Sequence, residues 1–339
     1  MPLIGFIAAF IFSVATVPFI RKMCLNQGFY DLPGERKIHK KPIPRLGGVA
    51  IWLGTILSLI TVVILQGEYP FGNSISAILA GGSIMFLLGI VDDTYGLSAK
   101  FKFFVQIGAA LVAFLLGVQI NFINLPFLDT NIMLGLWSLP ITILWIVGLS
   151  NAFNFIDGVD GLAGTLGMSG AITLGIIALV ATPPHTTCTL LCFILAGAIM
   201  GFLVFNYNPA RIFMGDSGSL FMGFLLATLS VVGIMKSVTF TIFLPVFILV
   251  VPIFDICFAA TRRILKGKSP FSPDAEHLHH KLLNAGFSHN KTVTTLLTAS
   301  IATGFIAAYI AGIVKLYLIA IVTLSIILFL LSIISKIRK

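Results

Sequence analysis

Eleven stretches of about twenty residues each run through this chain almost without charge, and nothing else in the sequence limits its fold as strongly. They fall at about 2–20, 46–66, 74–91, 101–118, 132–150, 162–181, 187–205, 218–235, 238–261, 292–312 and 315–335, each close to the length of one membrane-crossing helix. Composition agrees: 58% of the 339 residues are hydrophobic and 10% are charged, where a soluble domain carries about 25% charged residues. Too little polar surface remains to coat a particle in water. The expectation is an all-α polytopic membrane protein of about eleven transmembrane helices, a single integral-membrane domain over 1–339 without repeats or low-complexity linkers.

Sidedness follows from the basic residues. The first run lacks the basic leader of a cleaved signal, and Arg21 and Lys22 follow it, which places the N-terminus outside and the C-terminus in the cytoplasm. On that topology every Lys and Arg except Lys236 and Lys315 falls on the inner side. All acids but Glu68, Asp129 and Asp255 share that side, although acids contribute little to orientation, so their clustering marks a site. The net charge of +9 lies in short loops between apolar runs. Such loops suit anionic headgroups and phosphorylated substrates, whereas nucleic-acid readers gather charge on one soluble face. Cys24, Cys188, Cys192 and Cys257 form no C-x-x-C and read as packed thiols.

The chemistry-bearing residues concentrate in inner loops at about 21–45, 92–100, 151–161, 206–217 and 262–291. Asp92-Asp93 closes the third run; adjacent carboxylates there are either a solvated interfacial pair or a site for a divalent cation or phosphate. Asn151, Asn154, Asp157 and Asp160 recur every third residue, which in helical conformation makes one polar ridge, with Gly158, Gly161 and Gly164 permitting close approach. Asn206-Tyr-Asn-Pro-Ala-Arg-Ile-Phe213-Met-Gly-Asp216-Ser-Gly places a carboxylate at the entry to the eighth run, as a helix cap or as a metal or anion ligand. His277-Leu-His279-His280 lacks zinc spacing and suits donors or proton handlers facing a pyrophosphate. Pro44-Arg-Leu-Gly47-Gly48 reads as part of a lipid-facing basic patch or as a phosphate-contacting turn. There is no Walker A sequence and no G-x-S-x-G, so a P-loop ATPase and a serine hydrolase find no support. A secondary transporter would carry its ionisable groups near the midplane, and Asp255 is the one candidate. A scaffold protein gives no reason for the inner acids.

Taken in order, the Asp-Asp pair, the Asn-x-x-Asn-x-x-Asp-Gly-x-Asp-Gly-Leu segment, Phe-Met-Gly-Asp-Ser-Gly and the histidine cluster resemble the polyprenyl-phosphate N-acetylhexosamine-1-phosphate transferases, from about Arg36 to His280. Leu278 between histidines and Gly96 after Asp-Asp-Thr-Tyr resemble the bacterial undecaprenyl-phosphate GlcNAc-1-phosphate transferase branch, with phospho-MurNAc-pentapeptide transferase as the alternative. The resemblance implies transfer of a HexNAc-1-phosphate from a UDP-N-acetylhexosamine to undecaprenyl phosphate at the cytoplasmic face of the inner membrane, releasing UMP and initiating envelope polysaccharide synthesis. It implies Mg²⁺, with Mn²⁺ as a substitute, no nucleic-acid partner, and compatibility with a homodimer. By the same resemblance Asp92, Asp93, Asp216 and His279 are the catalytic set, with Asp216 and Asp92 as metal ligands. Lys40, Asn154, Asp157, Asp160, Asn206, Phe213, His277 and His280 would bind substrate, Phe213 stacking on uracil, and Lys100 is a further phosphate-contacting candidate. A lipid phosphate is itself an anionic nucleophile, its second pKa being about 6, so one direct displacement is expected.

Overall fold

The protein is described by a computed structural model covering residues 1–31, 42–67, 73–125, 130–181, 183–235, 243–267 and 277–310. Twelve helices occupy those residues: α1 (Pro2–Gln27), α2 (Gly48–Gln66), α3 (Asn73–Tyr95), α4 (Ala99–Leu115), α5 (Ser138–Ile156), α6 (Leu162–Val180), α7 (Thr186–Asn206), α8 (Gly215–Ser230), α9 (Phe243–Ile248), α10 (Val250–Leu265), α11 (Leu278–Asn284) and α12 (His289–Ile310). Two small antiparallel hairpins complete them, β1 (Tyr30–Asp31) with β2 (Ile43–Pro44) and β3 (Phe122–Leu125) with β4 (Thr130–Met133). The chain is therefore a multi-pass, all-α membrane protein. Among the described residues, α1, α2, α3, α5, α6, α7, and α8 continued through a π-helical turn to Gly233, are long and apolar enough to cross a membrane.

The remaining apolar runs are shorter or interrupted. The run at 101–118 becomes the 17-residue α4. The run at 238–261 is not one helix but α9 and α10, parted at Leu249. Pro252 supplies the cause, because it has no amide to bond the Ile248 carbonyl and its ring crowds that turn. The run at 315–335 lies outside the described residues.

Helix α8 is the hub. Every residue from Ser217 to Ser230 is buried, enclosed by α2, α3, α5, α6 and α7. Hydrocarbon offers no hydrophobic driving force between helices, so close packing of small residues has to hold them together. Gly197 and Gly201 on α7 lie against the backbone of α1 at Phe6 and Phe10, where a side chain would not fit. At the amino end of α8 the approach is closer still. A Cβ on Gly48 would strike the Gly218 backbone, and one on Gly89 the Ser217 backbone.

The Pro44–Gly48 segment serves that junction. Phe213 N donates to the Pro44 carbonyl (2.7 Å), Gly47 N to the Phe213 carbonyl (2.9 Å) and Gly48 N to the Met214 carbonyl (2.8 Å). The Phe213, Gly47 and Gly48 amides are committed to protein, so this backbone braces the entry to α8.

Gly89→Ala should separate α3 from α8, costing about 1–3 kcal/mol of stability or more, because the obstructing atoms are backbone. Gly108→Ala on α4, where nothing lies within 4 Å of the new methyl, should be neutral or slightly stabilising. Thermal unfolding of the two purified variants checks the contrast, and equal midpoints would contradict the packing described.

Candidate functional site

Alternating helices bring the carboxyl ends of α1, α3, α5 and α7 and the amino ends of α2, α4, α6 and α8 to one end of the bundle. There they surround a cleft of about 1170 Å³. Its lining includes Asp93, Asn154, Asp157, Asp160, Asn206, Phe213, Asp216 and His280 from the motifs read in the sequence. Asp92, His277 and His279 stand behind the lining, and Lys40 lies outside the described residues.

The Asp92–Asp93 pair divides its work. Asp93 Oδ1 accepts from Asp216 N (2.9 Å) and Oδ2 from Ser217 N (3.1 Å), so it caps α8 from another helix. Asp216 is thereby not the cap of its own helix, as sequence allowed; its side chain instead meets Lys102. Asp92 Oδ1 accepts from Leu97 N (2.7 Å), and Lys102 Nζ donates to both Asp92 Oδ2 (2.9 Å) and Asp216 Oδ2 (3.0 Å). Lys102, not the exposed Lys100, is the lysine at this centre. The signal for it was periodic: Lys102, Gln106, Ala109 and Ala113 lie on one face of α4, and the last three are buried.

The Asn151–Asp160 ridge is helical only in its first half. α5 ends at Ile156, Asp157 occupies its C-cap, and Gly161 enters α6 with φ of 76°. Asn151 pairs with Gln106 of α4, its Nδ2 donating to Oε1 at 2.7 Å, and Asn154 Nδ2 donates to Ser219 Oγ at 3.0 Å. Asp160 Oδ2 accepts from Asn208 Nδ2 (2.9 Å) and Ala210 N (3.0 Å), shaping the loop after α7. Asn206 is 3% exposed, with Oδ1 accepting from Gly161 N (3.0 Å) and Nδ2 donating to the Ile212 carbonyl (2.9 Å). Both ends of that amide are committed, so Asn206 holds two loops together at the cleft wall.

Asp157 differs from its neighbours. Its carboxylate has no hydrogen-bond or ion-pair partner among the described residues, and burial, then the charges of Asp216, Asp93 and Asp160, push its pKa well above the ordinary 3.8. A bare carboxylate facing three others fits a divalent cation. Among the described residues no three carboxylate, imidazole or thiol side chains converge closely enough to hold an ion alone. That suits Mg²⁺, which takes one or two carboxylates and completes its shell with water and substrate phosphate.

The histidines are unequal. His280 lines the cleft. His279 is 1% exposed with neither ring nitrogen partnered among the described residues, and lies so close to Gly158 that a Cβ there would be 2.5 Å from its Nε2. Burial first, then the neighbouring His280 and His277, push its pKa down to about 4, so it is neutral near pH 7. His277 Nδ1 bonds Asp255 Oδ2 at 2.8 Å. This pairing takes Asp255 away from any midplane transport site. Arg45, read in the sequence within the Pro44–Gly48 turn, lines the cleft, as do Arg21 and His289, which sequence reading did not place at the site.

Residues 75–234 match the family model described as Glycosyl transferase family 4. A protein of Bacillus subtilis (strain 168) described as a probable undecaprenyl-phosphate N-acetylglucosaminyl 1-phosphate transferase is 41% identical over 299 residues, covering 87% of this chain and 82% of that protein. The decaprenyl-phosphate N-acetylglucosaminephosphotransferase of Mycobacterium tuberculosis (strain CDC 1551 / Oshkosh) is 34% identical over 320 residues, covering 86% and 78%. The phospho-N-acetylmuramoyl-pentapeptide-transferase of Staphylococcus saprophyticus is 30% identical over 325 residues, covering 91% and 98%.

Asp157→Asn should stabilise the metal-free protein near neutral pH, by an amount of order 1 kcal/mol. A carboxyl whose pKa is raised by folding adds stability only while protonated: the contribution is complete below 3.8 and is lost as pH rises through the raised value. Unfolding midpoints from about pH 5 to 8 without divalent ions check this. The Asp157→Asn protein should show a higher midpoint and a flatter pH dependence, and identical curves would remove the strain assigned to Asp157.

Proposed function

Because the chain belongs to glycosyl transferase family 4, we propose that it transfers GlcNAc-1-phosphate from UDP-GlcNAc to undecaprenyl phosphate, releasing UMP. The observation that carries this reading is the charged cluster at the helix ends. Lys102 joins Asp92 to Asp216, Asp93 secures the α8 terminus, and the bare Asp157 faces both Asp93 and Asp216. One substrate arrives from lipid and the other from water, and only the membrane boundary serves both. The sidedness of the basic residues supports placing this end in the cytoplasm, at the inner membrane.

The residues divide the task as follows. Lys102 supplies a fixed positive charge for the phosphate groups being joined, oriented by Asp92 and Asp216. Asp216 and Asp157 would hold Mg²⁺, which would neutralise the diphosphate and its developing charge. Phe213 lines the cleft with its amide and carbonyl both pinned by the Pro44–Gly47 brace, which presents its ring rigidly for stacking on uracil. An oxygen of the lipid phosphate bonds to the sugar-bearing phosphorus as the bridging P–O bond breaks, and that oxygen leaves with UMP. No protein nucleophile is required, since Asp93 and Asp92 are both committed to hydrogen bonds. The muramoyl-pentapeptide alternative is not favoured, because its named relative is more distant than the GlcNAc-1-phosphate transferases.

The test is transfer by purified protein, with undecaprenyl phosphate and a panel of UDP-GlcNAc, other UDP-HexNAc sugars and UDP-MurNAc-pentapeptide, read as UMP release. GlcNAc transfer dependent on Mg²⁺ is expected, and activity with none of the panel would overturn the reading. Lys102→Met should lower kcat by about 10²–10³, the usual cost of removing one transition-state charge contact. With lipid withheld, labelled UMP should not exchange into UDP-GlcNAc; exchange in delipidated protein would establish a covalent intermediate instead.

A further inference from the structure

Asp255 is the one acid that the apolar runs enclose, and the cluster just described does not use it. It is 3% exposed on α10, a position that is costly for a carboxylate unless its oxygens are matched by donors. Both are matched from one short segment. Oδ2 lies 2.8 Å from His277 Nδ1, and Oδ1 accepts from Leu278 N at 2.7 Å. The His277 ring is held on its faces as well, by Phe155 of α5 with centroids 5.6 Å apart and by His279 at 5.9 Å and 3° between planes.

We propose that Asp255 is a positioning residue for the transfer reaction: it fixes the orientation and tautomer of His277, keeping the proton on Nδ1 and leaving Nε2 as an acceptor within the histidine cluster that reaches the cleft at His280. This rests on the function proposed above only in its kinetic consequence. The neighbouring rings connect His277 to the cleft. His279 abuts Gly158, beside the bare Asp157, and His280 lines the cleft itself. Among the described residues His279 has no hydrogen-bond partner, and its ring meets His277 only by stacking. Among the described residues, the titratable groups against His277 are Asp255 from α10 and His279 from α11, while α5 presents Phe155.

The chemistry singles out a carboxylate. Two donors face this side chain, so it must offer two acceptors. An asparagine would keep its oxygen toward Leu278 N and turn its NH₂ toward His277 Nδ1. That nitrogen would then have to accept, and the ring proton would move to Nε2. A carboxylate that merely capped α11 would leave the tautomer of His277 indifferent to this change.

The experiment uses the full chain labelled with ¹⁵N-histidine in lipid nanodiscs, with the His277 resonances assigned from His277→Ala. Two-bond ¹H–¹⁵N spectra should show Nδ1 protonated in the wild type and Nε2 protonated in Asp255→Asn. Asp255→Glu, which keeps two acceptors, should retain the wild-type tautomer and most of the kcat. In the kinetic arm, Asp255→Asn should lower kcat about 10- to 100-fold with KM for the UDP-sugar little changed, as loss of such orienting partners does. It should cost nothing further in a His277→Ala background. An unchanged tautomer in Asp255→Asn would overturn the proposal, as would an undiminished loss in the His277→Ala background. If the wild type transfers no sugar phosphate at all, the proposed function fails while the spectra still decide the role of Asp255.

Discussion

A helix that begins within a packed bundle exposes amides with no partner in their own helix, and in a membrane protein water is not at hand to accept from them. The amino terminus of α8 meets this difficulty at the centre of the molecule, and Asp93 of α3 resolves it by accepting from the Asp216 and Ser217 amides. The position of that carboxylate fixes much else. α3 must end beside the start of α8, which requires Gly89 where any side chain would meet Ser217. The chain entering α8 must be held in register, which the Pro44–Gly48 backbone does. Once these contacts exist, Asp92 and Asp216 lie on either side of Lys102 without further arrangement. The Asp92–Lys102–Asp216 arrangement is a by-product of closing one helix end.

The same end of the bundle gathers more negative charge than packing can explain. Asp93, Asp157, Asp160 and Asp216 line one cleft. Asp93 and Asp160 accept from backbone and amide donors, and Asp216 shares Lys102 with Asp92. Asp157 is left with neighbours of like sign, an unfavourable state that burial makes worse. A fold does not retain such a residue for stability. The deficit of positive charge is what a divalent cation and an anionic substrate would share, and the proposed Mg²⁺-assisted transfer draws on that deficit.

The membrane class, most helices and the membership of the cleft could be read directly from the sequence, because apolar runs and polar motifs between them are local patterns. What stayed hidden depends on contacts between distant segments. The three-residue spacing of Asn151 to Asp160 suggested one ridge, but Gly158 and Gly161 permit a turn that sends the two asparagines to neighbouring helices and the two aspartates to the cleft. Lys102 was overlooked in favour of Lys100 because only the buried face of α4 distinguishes them. Asp255 looked like a misplaced charge within a run. Pro252 breaks that run at Leu249, and α10 then carries Asp255 to the histidine segment. The Asn206 amide and the Gly47 and Gly48 amides are bonded to backbone, a structural role that no spacing rule reveals.

These matched groups also explain how a strained cleft can be kept at a membrane boundary. The residues closest to the proposed chemistry, Asp157, Asp216 and His280, sit on turns and helix ends, which on their own would be mobile. Each turn is anchored by a buried or cleft-wall side chain: Asn206 holds the turn before α6, Asp160 the loop after α7, Asp93 the start of α8, and Asp255 the start of α11. In every case a side-chain oxygen accepts a backbone amide of another segment, a bond that is directional and hard to replace where water is scarce. Rigidity is thus built from short polar clamps at one end of an apolar bundle. With the turns held by these bonds, the Asp157 carboxylate can remain without a partner among the described residues until the proposed cation and substrate arrive.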